Sequence, residues 1–197
     1  MSDLHWKSPT PHQLAAANAY VDIVVREFRT DAGVHAETAI AAAARMAGTF
    51  LFRSFNFPLK DVNPGSPVLS DAANDHGPLL VQTLGAGLDN LKVTLDRSRL
   101  QSGVSAENEP HVSVIETQSR IESQFRSVSA RFLLSAEDSA HACALAAARL
   151  IQLSSGALDP HVGFSVAAYG FVEGSKTAPI AIAEEKERDK PWYKFWK

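Results

Sequence analysis

The sequence predicts an all-α fold: a helical bundle in which two similar three-helix units pack pseudo-symmetrically around two central alanine-rich helices. Apolar residues recur at helical spacing along several segments, and Gly and Pro mark the gaps between these segments. Two segments, near residues 35–55 and 136–154, consist mostly of small apolar residues. Such helices are normally buried on several sides, so we expect both of them at the centre.

The apolar pattern of the first helical segment recurs in the second half of the chain. Four residues match after a constant shift of 104 residues (121 − 17): Ala17, Val21, Val24 and Phe28 against Ile121, Phe125, Val128 and Phe132. Without a gap, the shift also carries Arg45 onto Arg149. An internal duplication would explain the match, but any two amphipathic helices share this periodicity, and the sequence leaves both explanations open.

Length and composition indicate one soluble globular domain. A chain of 197 residues can bury a sizeable core, and a net charge of −3 gives no attraction to nucleic acid. The single cysteine, Cys143, allows no internal disulfide, which fits a reducing compartment. Residues 1–7 lack the apolar core of a signal peptide, and no apolar run reaches the roughly 20 residues of a membrane span. We therefore expect a cytoplasmic protein without a transmembrane span.

Composition divides this single domain into five segments. They are an N-terminal arm (1–9), a first helical unit (10–92), a polar linker (93–111), a second helical unit (112–179) and a charged, aromatic C-terminal tail (180–197).

The first helix has a strong start signal. Thr10 can cap it, Pro11 suits its first position, and Gln13 completes a capping box. We expect this helix to reach about Arg29 and to end before Gly33.

The rest of the first unit contains two more helices. The second runs from about residue 35 to 55, and the proline-rich segment 56–67 that follows must be a loop. The third either starts at Pro78 or is a longer helix that begins near Leu69 and kinks at Pro78.

In the linker and the second unit, capping residues and apolar spacing again indicate the secondary structure. A short strand at 93–95 is an open alternative within the linker. Helices are predicted over 112–134, over 136–153 after the cap signature that begins at Ser135, and from Pro160 to Glu173.

Two Asp/His clusters are candidate metal sites. Asp138 and His141 stand three residues apart on one predicted helix, and Asp71, Asp75 and His76 form a second cluster. The Glu-x-x-His pattern of di-iron bundles is not present. A capping role also explains Asp138, and His141 could be a core or surface residue.

No residue is assigned a catalytic role. The sequence has no Gly-x-Ser-x-Gly elbow, and Cys143 lies mid-helix among alanines, where a thiol behaves as a small apolar side chain. The sequence contains no phosphate-binding loop and no dinucleotide-binding fingerprint. Whether the protein binds a cofactor therefore stays unknown.

Arg45 and Arg149 lie on almost wholly apolar helices, where an unpaired charge is costly. In one interpretation, neighbouring residues cover the aliphatic part of each arginine side chain, and its guanidinium extends into water. In another, both point into an apolar cleft between the halves and clamp a small anionic ligand.

The C-terminal tail carries four aromatic residues within six positions: Trp192, Tyr193, Phe195 and Trp196. Aromatic side chains in such numbers are normally enclosed or used at interfaces. The tail is therefore expected to fold back on the domain, to dock on a neighbouring subunit or to bind a partner.

Three functions follow in order of preference. The first is a non-enzymatic interaction protein, a homo-oligomer, which binds protein through its tail or exposed helix faces. The second is a small-molecule binding or sensing module with Arg45 and Arg149 as anion clamps. The third is a metal-dependent enzyme that uses the Asp/His clusters.

Overall fold

A computed structural model describes residues 8–59, 62–100 and 103–181. Within these ranges the chain forms six α-helices, which confirms the predicted all-α class. They are α1 (Pro11–Glu27), α2 (Ala36–Ser54), α3 (Asp71–Asn90), α4 (Val114–Arg131), α5 (Ala136–Ser154) and α6 (Pro160–Ser175). Two short 3-10 helices, Arg97–Arg99 and Ala106–Asn108, and one hairpin, Arg29–Thr30 with Gly33–Val34, complete the described secondary structure.

The predicted caps set the helix starts. Gln13 donates its backbone N–H to Thr10 Oγ1 at 3.2 Å, and Thr10 donates its own to Gln13 Oε1 at 2.8 Å. Ser135 and Asp159 likewise accept from the first turns of α5 and α6. Each cap satisfies an N–H group that has no partner inside the helix.

Three local features were either left open or missed by the sequence predictions. The third helix starts at Asp71 after the Ser70 cap, so Pro78 lies inside it, as in the longer-helix alternative. Residues 93–95 form no strand. The hairpin after α1 was not predicted; its second strand begins directly after the turn, at Gly33, whose φ of +105° is readily adopted only by glycine.

The two alanine-rich helices lie at the centre, as predicted. Ala41 on α2 and Ala146 on α5 are fully buried, and the two helices pack directly against each other. Each is covered mainly by helices from the other half of the chain: α6 covers α2, while α1 and α3 cover α5.

The equivalence of the two halves stays a prediction. The starts of α1 and α4 are 103 residues apart (114 − 11), and those of α2 and α5 are 100 apart (136 − 36). The ends of α1 and α4 are 104 residues apart (131 − 27), whereas those of α2 and α5 are 100 apart (154 − 54), so only the first pair of helices follows the shift of 104 residues.

Helices α2 and α6 approach closely along a seam of small residues. A Cβ atom at Gly48 would lie 2.5 Å from the carbonyl oxygen of Phe171, and one at Gly170 would lie 2.8 Å from Ala44 Cβ. A Cβ at Gly174 would overlap the carbonyl oxygen of Arg45. These distances leave no room for a side chain between the two backbones.

After α6 the chain is held against α2 and α4. Thr177 forms an antiparallel bridge with Pro67. Ile180 donates its N–H to Gln118 Oε1 at 3.1 Å, and its carbonyl accepts from Arg53 Nη2 at 2.8 Å. These contacts fix Ile180 against α2 and α4.

Among the described helices, none has both the length and the apolar composition that a membrane crossing requires.

Candidate functional site

The two Asp/His clusters lie on different helices, α5 and α3, and are held by separate local contacts. Asp138 accepts from the Ser135 hydroxyl at 2.7 Å and from Gln13 Nε2 at 3.2 Å, so it ties the start of α5 to α1. His141 Nδ1 lies 2.8 Å from the Thr83 hydroxyl on α3. Burial lowers the pKa of His141, and the nearby carboxylates of Glu137 and Asp138 oppose this shift only in part.

The second Asp/His cluster lies at the start of α3. Asp71 occupies the first turn, behind the Ser70 cap, and the His76 ring meets the Phe55 ring edge-on at a centroid distance of 5.6 Å. In the described part of the chain, no group of three or more His, Cys, Asp or Glu side chains is arranged to hold a metal ion.

Arg45 and Arg149 have different partners and do not share a cleft. Arg45 is buried, with only 5% of its side chain exposed, and its Nε donates to Glu173 Oε2 at 2.7 Å. Its Nη1 donates to the carbonyl oxygen of Val112. The head of Arg45 is therefore enclosed by α6 and by the segment before α4, instead of extending into water.

Arg149 lies at a cleft between α1, α3 and α5. This Arg149 cleft has a volume of about 270 Å³, and its wall is formed by Pro9, Leu14, Ala17, Asn18, Gly87, Asn90, Leu91, Leu145 and Arg149. Arg149 Nη1 donates to Gln152 Oε1, and the Gln152 amide donates to the carbonyl of Leu91. Arg149 is half-buried and forms no ion pair with the residues that the structure describes.

A second concave surface lies between α3 and α6. This α3–α6 groove has a volume of about 520 Å³ and is lined by Ala73, Asn74, Gly77, Pro78, Val81, Gln82, Ala168, Phe171, Val172, Ser175 and Lys176. Val172 is 49% exposed, and Tyr169, also on α6, is 50% exposed. Lys176 is the single charged residue of the wall, at the end of α6.

Two buried titratable groups, Tyr20 and Cys143, lie beside and on α5, and the Tyr20 hydroxyl belongs to a hydrogen-bond network. The Tyr20 hydroxyl lies 2.7 Å from Ser129 Oγ, which accepts from Ser139 at 2.8 Å. Burial raises the pKa of Tyr20 far above its usual value, and burial also raises the pKa of the Cys143 thiol. A thiol kept protonated in this way is a poor nucleophile, which agrees with the prediction that Cys143 behaves as a small apolar side chain.

Sequence reasoning missed the acidic partners of the buried arginines. Glu173 pairs with Arg45, and Glu122 pairs with Arg53 at 2.6 Å. The available signal was a glutamate at an otherwise apolar helix face, since such a carboxylate needs a partner when it is buried. The aromatic residues Trp192, Tyr193, Phe195 and Trp196 lie outside the described residues.

Comparison with known proteins yields no relative: no family model, no curated protein and no solved structure matches this chain.

Proposed function

We propose that this protein is a non-enzymatic helical interaction protein that forms a homo-oligomer through the α3–α6 groove. The observation that carries the proposal is an apolar groove left open between two helices that cover the centre. Its occupant is the aromatic C-terminal segment, residues 192–196, of a second copy of the chain.

The groove has the composition of a protein interface. Pro78 and Val81 on α3 face Phe171 and Val172 on α6 across it. Half of the Val172 surface is exposed, and Tyr169 presents a large aromatic surface on the same helix. Apolar residues exposed at a concave surface are typical of interaction sites, whose cores are rich in aromatic and aliphatic side chains.

The C-terminal segment supplies matching chemistry. Four aromatic residues between positions 192 and 196 provide the side-chain types that dominate binding energy at interfaces. A stretch of mixed charge precedes them, with four acidic and three basic residues between positions 184 and 190.

The length of the segment allows it to reach a neighbouring copy. The described chain ends at Ala181, after the contacts that fix Ile180 to α2 and α4. At about 3.3 Å per extended residue, the stretch from there to Trp192 can span roughly 36 Å.

The proposal is tested by the molar mass of the full-length protein, measured by size-exclusion chromatography with light scattering. We expect an oligomer for the wild type and a monomer for Val172→Glu, because the new carboxylate would have to be desolvated in the groove. The double variant Trp192→Ala/Trp196→Ala should also be a monomer. Leu153→Glu is the matched control, since Leu153 is an exposed apolar residue outside the groove wall, and it should remain oligomeric.

A monomeric wild type would overturn the proposal, even if the segment bound the groove of its own chain. Dissociation of the Leu153→Glu control to the same extent as Val172→Glu would overturn it as well.

A further inference from the structure

The geometry points to a second binding site that is independent of the groove: the Arg149 cleft binds a small apolar monocarboxylate. The ligand's carboxylate pairs with the Arg149 guanidinium, and its apolar part lies against α1 and α3. The cleft and the groove share no wall residue.

The charge of the cleft selects an anion. Arg149 is the single charged residue of the wall, so no carboxylate of the wall competes for it. Nη1 of its guanidinium is engaged by Gln152, and none of the buried side-chain polar atoms that the structure describes lacks a partner. The remaining N–H groups of Arg149 therefore face solvent-accessible space and can donate to a bound oxygen.

The orientation of Arg149 is fixed before a ligand arrives. Its partner Gln152 is in turn held by the carbonyl of Leu91 at 3.2 Å, at the end of α3. This two-step connection limits the rotamers of a long side chain, whose immobilisation otherwise opposes binding. A pre-oriented guanidinium presents parallel donors that match the two oxygens of a carboxylate.

The remaining wall residues favour a ligand that is apolar except for one small polar group at its end. Ala17, Gly87 and Leu145 form a buried apolar floor, and Leu14 contributes a side chain that is 47% exposed at the rim. Asn18 and Asn90 are neutral amides that can donate to a single oxygen but cannot balance the second charge of a phosphate.

The volume of the cleft limits the size of the ligand. About 270 Å³ lies just below the range of roughly 300–1,000 Å³ that is typical of sites for drug-sized ligands. A short-chain or aromatic monocarboxylic acid fits this volume, whereas a long acyl chain does not.

The inference is tested by titrating isotope-labelled, full-length protein with hexanoate and, separately, with hexan-1-ol, followed by amide NMR. Hexanoate should shift the amides of Gly87, Leu91 and Leu145 in a saturable manner. Its affinity should exceed that of the alcohol at least tenfold, because only the acid forms the charge-assisted hydrogen bonds.

Three variants identify the groups responsible. Arg149→Gln should lower the hexanoate affinity to that of hexan-1-ol and leave the alcohol's affinity unchanged. Arg120→Gln, which removes an exposed arginine of α4, is the matched control and should bind hexanoate as the wild type does. Leu14→Trp places a larger ring at the exposed rim and should weaken both compounds with little risk to the fold.

Equal affinities of the wild type for the acid and the alcohol would overturn the inference, as would hexanoate-induced shifts located away from the cleft. An Arg149→Gln variant that keeps full hexanoate affinity would do the same. None of these results depends on the oligomeric state, so failure here is distinguishable from failure of the proposed function.

Discussion

At the residue scale, Arg45 shows how this bundle tolerates a cation at its centre. Its guanidinium meets the Glu173 carboxylate at 2.7 Å and the carbonyl oxygen of Val112. A buried ion pair of this kind adds little net stability relative to apolar residues, but loss of one partner leaves an uncompensated charge. The pair therefore acts chiefly as a constraint on how α6 lies against α2.

We expect Glu173→Gln to lower the free energy of unfolding by about 3 kcal/mol, because it leaves the Arg45 charge buried without a counterion. Urea denaturation monitored by circular dichroism measures this change.

The matched control is Glu116→Gln, which breaks the exposed Glu116–Arg120 pair on α4. Exposed pairs contribute less than about 1 kcal/mol, so this variant should unfold close to the wild-type midpoint. Equal losses in the two variants would show that burial does not determine the importance of the Arg45 pair.

The sequence indicates that Arg45 needs a partner, but not which one. An arginine among alanines on a central helix implies a buried or half-buried charge. Glu173, however, is 128 residues farther along the chain, and only tertiary packing brings it to Arg45. For the same reason, the matching positions of Arg45 and Arg149 in the two halves could not decide between the two interpretations of these arginines.

At the element scale, the seam between α2 and α6 depends on glycines. The two backbones approach so closely that a Cβ at Gly174 would overlap the carbonyl oxygen of Arg45, and one at Gly48 would meet Phe171. In a helix, glycine costs up to about 1 kcal/mol relative to alanine. The close packing along the seam outweighs that cost.

We expect Gly174→Ala to destabilise the protein by about 3 kcal/mol, because a backbone atom stands where the methyl group would go and can move away only if the helices separate. Thermal and urea unfolding of the purified variant measure the loss.

Gly85→Ala is the control with the opposite expected sign. Gly85 lies inside α3, and a Cβ there would meet nothing within 4 Å. Alanine at this position should raise the stability by about 0.5–1 kcal/mol through its better helix propensity. A stabilised Gly174→Ala variant would contradict the close packing of the seam.

The sequence predicts helix boundaries wherever a local signal specifies them. The capping box at Thr10 and the cap at Ser135 act within one turn, so their residue types suffice to predict them. The position of Pro78 inside α3 was one of two alternatives, because a proline can either start a helix or be tolerated within it. The seam glycines gave no such signal, since their role depends on a helix more than 100 residues away.

At the scale of the whole molecule, the two halves of the chain support each other. The central helix of each half is covered mainly by outer helices of the other, with α6 on α2 and with α1 and α3 on α5. Neither half alone can therefore bury its alanine-rich helix.

We expect the isolated fragments 10–92 and 112–179 to be largely unfolded and to gain helix content when they are mixed. Helices removed from their packing partners are marginal in water, because most of their stability comes from tertiary contacts. Far-UV circular dichroism of each fragment and of the equimolar mixture is the measurement.

Cooperative thermal unfolding of either fragment alone would contradict this expectation and would instead support two independently folding units. The full-length chain provides the reference for complete helix content.

The alanine-rich centre also restricts how the molecule can respond to a bound molecule. Alanine has no side-chain rotamers to lose on folding and none to change afterwards. A layer of buried methyl groups on α2 and α5, Ala41 and Ala146 among them, cannot adjust by side-chain rearrangement. Any shape change that starts at Leu145 or Arg149 must therefore displace α5 as a rigid body or leave the interior unaltered.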